Sequence, residues 1–175
     1  SQNYSLAVVS DITERKWAEQ KLQNYAIIVA TTTDLMAYRD AENRYLVVND
    51  QYCKYFNKSF HEIIGHTPDE LFRKDQFENS IGTYSYRCLH GETVHAENWI
   101  DYPGAGHRCM ELHYHPFRDA MGVVTGIVVS ARDITERKQA EEQVKNALQR
   151  LSMLSEHLIS VKEEERRTLA YELHD

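Results

Sequence analysis

The hexapeptide Asp-Ile-Thr-Glu-Arg-Lys occurs twice, at residues 11–16 and 133–138, a period of 122 residues in a chain of 175. The match runs on: Ala18, Glu19 and Asn24 recur as Ala140, Glu141 and Asn146. Each copy follows an apolar run, Leu6–Val9 in the first case and Ile127–Val129 in the second. Each copy therefore reads as strand, cap and helix. Asp11 and Asp133 are suited to N-cap positions, and a Glu three residues on completes a capping box. Chance supplies one such cap readily, but not six identical residues with matching flanks. The repeat thus brackets one complete module, and the length allows one ordinary domain with a limited addition. Residues 1–10 are expected to be the last strand of a preceding module of the same kind. Residues 11–30 are expected to be a linker helix, and 31–134 the module itself.

All seven glycines and all three prolines lie between Gly65 and Gly126, so the tight turns are central. Ala18, Leu22, Tyr25 and Val29 make a helical stripe. Two short β segments follow, Leu35–Arg39 and Tyr45–Val48, joined by a turn in which Asn43 is able to take positive φ. Asn49 or Asp50 caps a short helix through Phe56. Thr67-Pro68-Asp69-Glu70 supplies an N-cap, a Pro at N1 and a Glu at N3, and so starts another helix. A helix over about Asp75–His90 ends at Gly91. Three strands complete the module: Val94–Tyr102, Arg108–His115 and Val123–Ser130. Two strands, several short helices and three strands make an α+β pattern with an antiparallel sheet.

Several of these pieces, taken in order, resemble the PAS domain, a small sensor fold of bacterial signalling proteins. They are Asp40 to Asn49, Ile64-Gly65-His66-Thr67, His90-Gly91-Glu92-Thr93, Pro116-Phe117-Arg118-Asp119, Gly122, Gly126 and the closing Asp133-Ile134-Thr135-Glu136-Arg137. The resemblance covers about Lys21 to Lys138. It implies a five-stranded antiparallel sheet with short helices, flanked by long N- and C-terminal helices. Asn43 stands where the family often has Gly. The resemblance makes Asp133 and Thr135 the residues that couple the sheet to the following helix.

Residues 135–161 read as a coiled-coil signalling helix. Val144, Ala147, Leu151, Leu154, Leu158 and Val161 keep a 3-4-3-4-3 spacing, the seam of a parallel coiled coil, so a homodimer through the helices is expected. The seam fails at Glu165, and Leu169 and Leu173 define a shifted face. Residues 162–175 contain Glu163-Glu164-Glu165-Arg166-Arg167 and end in Glu172-Leu173-His174-Asp175. This string is similar to the start of the dimerisation and phosphoacceptor helix of histidine kinases. The resemblance implies that His174 accepts phosphate from ATP and that Asp175 is the general base that takes the imidazole proton. Neutral imidazole is a nucleophile near pH 7, and loss of the second ring proton raises its reactivity. No Gly-rich nucleotide loop is present, so the chain reads as a piece of a longer kinase, inactive by itself. The partners so implied are an ATP-binding domain of the same protein and a response regulator.

Apolar residues make up 42% of the chain and charged residues 27%, and the formal charge is -7, which argues against nonspecific nucleic-acid binding. Mean hydropathy is -0.61 and no apolar run is long enough for a membrane span. Cys53, Cys88 and Cys109 lack CxxC spacing, which fits a reducing cytoplasm. Seven of the nine histidines fall between His61 and His115, and His113 and His115 share a strand face. No Cys or His pair has a structural zinc spacing, so no metal is assigned. The candidate pocket residues are Tyr38, Phe77, Ile81, Tyr84, Met110, Leu112 and Tyr114. The expected occupant is none or a small organic ligand. Haem is disfavoured because the long helix before the third strand carries Tyr84 and Tyr86, with His90 only at its end. A flavin adduct is disfavoured because neither Cys53 nor Cys88 sits in the required motif. The sequence thus points to the sensor and transmission region of a two-component histidine kinase. The rivals are a non-enzymatic interaction module and a haem- or flavin-type cofactor sensor.

Overall fold

A computed structural model describes the backbone of residues 2–172 and the side chains of residues 15–164, 166 and 167. His174 and Asp175 lie outside the described residues. The chain divides into two units, Ser1–Asp133 and Ile134–Asp175. The first opens with helix α1 (Gln2–Thr31). The strand expected within residues 1–10 is helix instead. A strand needs a neighbouring ladder for its backbone groups, whereas a helix satisfies them within itself. The stripe expected on α1 is not covered: Leu22 and Tyr25 are more than half exposed.

The sheet consists of β1 (Leu35–Asp40), β2 (Tyr45–Val48), β3 (Val94–Tyr102), β4 (Gly106–Arg118) and β5 (Val124–Asp133). Its order is β2-β1-β5-β4-β3, and every pairing is antiparallel. Alternation decides which side chains enter the core. Leu35, Ala37 and Arg39 of β1 are buried, as are Met110, Leu112 and Tyr114 of β4 and Ile127, Val129 and Ala131 of β5. β1 turns into β2 through Asn43 at φ 65. Gly126 allows β5 to lie close on β1, because a Cβ there would come within 2.3 Å of the Arg39 carbonyl oxygen.

Short helices close the inner face: α2 (Asp50–Phe56), α3 (Phe60–Ile63), α4 (Pro68–Leu71), α5 (Lys74–Gln76) and α6 (Gly82–Leu89). Asn49 is the N-cap of α2 and accepts from the Tyr52 N–H at 3.1 Å. The capping box expected at Thr67 forms, with the Glu70 carboxylate accepting the Thr67 N–H at 2.8 Å. The helix expected over 75–90 is present, but a π-helical turn (Phe77–Ile81) joins α5 to α6. Gly91 follows α6 at φ 93, the left-handed conformation that ends it. Phe56, Phe72, Tyr45, Tyr52 and Tyr102 join the aliphatic residues in one core.

The second unit is a helix, α7 (Thr135–Glu172), of 38 residues. Val144, Leu151, Leu154 and Leu158 on its expected seam are more than half exposed in the single chain. Among the described residues, no helix is long and apolar enough to cross a membrane.

Candidate functional site

The inner face of the sheet holds a charge. Arg39 follows Leu35 and Ala37 in alternation, so its side chain enters the core, and it is 1% exposed. The β1–β2 register shifts between Tyr38 and Arg39, the kind of irregularity that re-aims a side chain. Arg39 Nη1 donates to Asn43 Oδ1 at 2.8 Å and to Ser85 Oγ at 3.1 Å. Ser85 Oγ in turn donates to the Ile81 carbonyl at 2.8 Å. The guanidinium carbon lies 5.5 Å from the ring centres of both Tyr45 and Tyr114, within cation–π range. Arg39 Nε is buried and has no hydrogen-bond partner.

A cavity of about 20 Å³ adjoins this group, lined by Arg39, Tyr45, Tyr52, Tyr102 and Tyr114 among others. That is room for about one water-sized group, and a larger occupant would require the lining side chains to move. The Tyr45 and Tyr52 hydroxyls lie 2.6 Å apart and share a hydrogen bond. Burial pushes the pKa of Tyr45, Tyr52, Tyr102 and Tyr114 above that of a free phenol, and Arg39 offsets part of the rise at Tyr45, Tyr52 and Tyr114. All four are therefore neutral donors at pH 7.

Of the residues expected in the pocket, Ile81, Leu112 and Tyr114 line the cavity. Met110 is wholly buried in the core nearby, while Phe77 and Tyr84 pack against that core from its edge. Tyr38 is a correction. Strand alternation puts it on the sheet face opposite Arg39, where its ring meets Phe117 edge-on at 5.5 Å. The residue that sequence reasoning missed is Arg39. Its signal was a cation in phase with Leu35 and Ala37.

Asp133, the last residue of β5, pairs with Met110 of β4. Its carboxylate accepts the Tyr55 hydroxyl at 2.8 Å, and Arg108 Nε lies 3.8 Å away. Burial, followed by the Asp133 hydrogen bond and charge, raises the Tyr55 pKa to about 12. Thr135 is buried at the start of α7. A second anchor is Asn49, which is 5% exposed. Its Oδ1 also accepts the Met36 N–H at 3.0 Å. Its Nδ2 donates to the Asp34 carbonyl at 2.9 Å and the Val29 carbonyl at 3.4 Å. One amide thereby ties the end of α1 to β1 and α2.

The outer sheet face carries His95 opposite His113. Their Nδ1 atoms are in contact, and the His115 ring is 5.7 Å from that of His95. Among the described residues, no three His, Cys, Asp or Glu side chains are arranged to hold a metal ion. The Cys88 thiol is pushed up to about 11, first by burial, so it is protonated and a poor nucleophile at pH 7.

This geometry agrees with comparisons to known proteins. A family profile described as PAS fold matches residues 29–139. The aerobic respiration control sensor protein ArcB of Escherichia coli is 26% identical over 129 residues, which cover 74% of this chain and 17% of ArcB. The chain thus spans about a sixth of the length of the curated relatives it matches. The PAS domain of a protein from Colwellia psychrerythraea superposes with a TM-score of 0.56 at 17% identity, covering 66% of this chain and 98% of that one. An RNA-binding light-oxygen-voltage receptor superposes with a TM-score of 0.61 at 15% identity, covering 73% of this chain and 37% of that one. Both structures bear on the fold alone.

Proposed function

The chain belongs to the PAS fold family, and from that premise we propose that it is the sensor and signal-transmission region of a cytoplasmic two-component histidine kinase. The observation that carries this reading is the exit from the sheet. β5 ends at Asp133, and a 38-residue helix begins at Thr135. That helix presents an apolar seam from Val144 to Val161 and runs on into the sequence that ends Glu172-Leu173-His174-Asp175. The similarity to a sensor protein over most of this chain supports the same reading. In it, two copies pair in parallel along α7, which brings both His174 side chains to one end. Asp133 and Thr135 couple the sheet to that helix. A change in the sheet alters the pitch or rotation of α7 and thereby the access of an ATP-binding domain to His174. Asp175 takes the imidazole proton, and a response regulator receives the phosphoryl group.

The test joins this chain to a histidine-kinase ATP-binding domain and measures acid-labile, alkali-stable phosphate on His174. Incorporation that His174→Gln abolishes supports the reading. Normal dimerisation without phosphorylation by any supplied kinase domain would leave an interaction module instead.

A further inference from the structure

Arg39 places a permanent positive charge inside the first unit, since an arginine side chain keeps its proton in proteins. Among the described residues no carboxylate lies within ion-pair distance of it. Its Nη1 partners, Asn43 Oδ1 and Ser85 Oγ, are neutral. The tyrosines around the cavity are neutral as well, because burial raises their pKa. Nε has no acceptor, and a cavity of about 20 Å³ lies against the side chain. A buried charge is normally paired, and here no described residue supplies the opposite charge.

We propose that this cavity is an anion site, holding one small monovalent anion against Arg39. Size restricts the occupant: the cavity admits about one water-sized group, so a chloride fits with little adjustment and a bromide or formate only as the lining side chains move. Charge sets the sign. A water molecule would accept from Nε but would leave the guanidinium unbalanced. The Nε–Nη2 edge of a guanidinium offers parallel donors to a carboxylate or a halide. Asn43 and Ser85 hold Nη1 and the Tyr114 hydroxyl also bonds to Arg39, so the guanidinium is held in place before the anion arrives, with Nε as the donor left without a partner. The shared chemistry is a small, singly charged acceptor, whether an inorganic halide or a short carboxylate. This site goes beyond the signalling reading and does not depend on phosphotransfer.

The experiment is thermal unfolding of the whole chain at constant ionic strength, with sodium chloride, bromide or formate replacing sodium gluconate, an anion too large for the cavity. Tm is expected to rise and saturate with the small anions, by roughly 10–20 °C at a hundredfold excess over Kd. Crystals grown in bromide or formate are expected to show the anion within hydrogen-bond reach of Arg39 Nε. A gain from formate alone identifies a carboxylate occupant, and a gain from the halides alone an inorganic one. Arg39→Met is expected to remove the response. An unchanged Tm across all the small anions, water alone in the cavity of both crystals, or a full response in Arg39→Met overturns the proposal. If Arg39→Met does not fold, the crystals of the unaltered chain decide. None of these measurements involves His174, so a failed kinase reading and a failed anion site are distinguishable.

Discussion

Asn49→Ala tests whether one side chain fastens the linker helix to the core. Asn49 Oδ1 accepts from the Met36 and Tyr52 N–H groups at 3.0 and 3.1 Å, and Nδ2 donates to the Asp34 and Val29 carbonyls. Alanine removes both acceptors and leaves two N–H groups without a partner. Each such buried donor costs about 1–3 kcal/mol, and loss of an N-cap alone costs about 1 kcal/mol. The two carbonyls lose less, since an under-satisfied carbonyl is better tolerated than an orphan N–H. With the Tyr52 N–H counted as the lost cap and the Met36 N–H as the orphan donor, the sum is about 2–4 kcal/mol, which lowers Tm by roughly 8–30 °C in a domain of this size. Urea unfolding followed by far-UV circular dichroism measures it. Asn49→Asp separates the two halves of the amide. It keeps the acceptor but turns a second oxygen toward two carbonyls, so the carboxyl is held protonated and its folded pKa lies above the unfolded value of about 3.9. The proton then stabilises the fold at low pH, and this contribution is lost as pH rises through the folded pKa. The deficit of Asn49→Asp is therefore smallest in acid and grows toward pH 7. A cost below about 1 kcal/mol for Asn49→Ala, against the orphan-donor cost, or a pH-independent deficit for Asn49→Asp, refutes the reasoning.

Replacing Leu151 and Leu158 with Lys is expected to give a monomer by light scattering, because both lie on the exposed seam of α7. A wild-type monomer at high micromolar concentration would remove the dimer. With an ATP-binding domain supplied, Asp175→Asn is expected to slow autophosphorylation about 100- to 10,000-fold, the usual contribution of a positioned base, with dimerisation unchanged. Near-normal rates would move that role to Glu172 or a water. Asp133→Asn is expected to bring the Tyr55 titration part of the way down from about 12, because burial, the largest cause of the rise, remains while the carboxylate's hydrogen bond and charge are lost. In the unaltered chain this raised pKa means that the Tyr55 contribution to stability is complete below about pH 10 and is lost as pH climbs through about 12. Ultraviolet difference titration reads the shift, and an identical curve in both proteins would show that the bond does not form in solution.

The architecture was legible because its signals are local. The Thr67-Pro68-Asp69-Glu70 cap, the turn at Asn43 and the stop at Gly91 depend on a few neighbouring residues, and each stands where the spacing put it. The misses came from long-range choices. Leu6–Val9 has the composition of a strand, but a strand forms only where another offers its edge. Tyr38 is large and can hydrogen-bond, which suits a pocket residue, but its parity in β1 assigns it to the outer face. The same parity assigns Arg39 to the interior, where the general expectation that charges stay outside hid it. Asn43, which departs from the family's frequent Gly, has a reason that only the folded chain shows. It adopts φ 65 as Gly would, and its side chain also accepts from Arg39 at 2.8 Å.

Helix α2 joins the cavity to the end of β5. Tyr52 lines the cavity, and Tyr55, three residues later on the same side of the helix, donates to Asp133. The helix between them is clamped at both ends. Asn49 caps its start, and Asn57 closes its other end at φ 50 with its N–H directed to the Lys54 carbonyl. A further hold comes from the Gly104 N–H, which donates to the Tyr55 carbonyl at 2.8 Å. With both ends held, any shift of this short helix would be a shift of the whole rather than a bend. An occupant that displaces Tyr52 would therefore displace Tyr55 as well, and the Tyr55–Asp133 hydrogen bond would carry the movement to the residue at which the sheet ends. Arg39 reaches β5 by a second route, through its pairing with Ile127. The buried cation and the strand end are thus linked both through a helix and through the sheet. This is the arrangement expected if occupancy of the cavity is to be reported at Asp133.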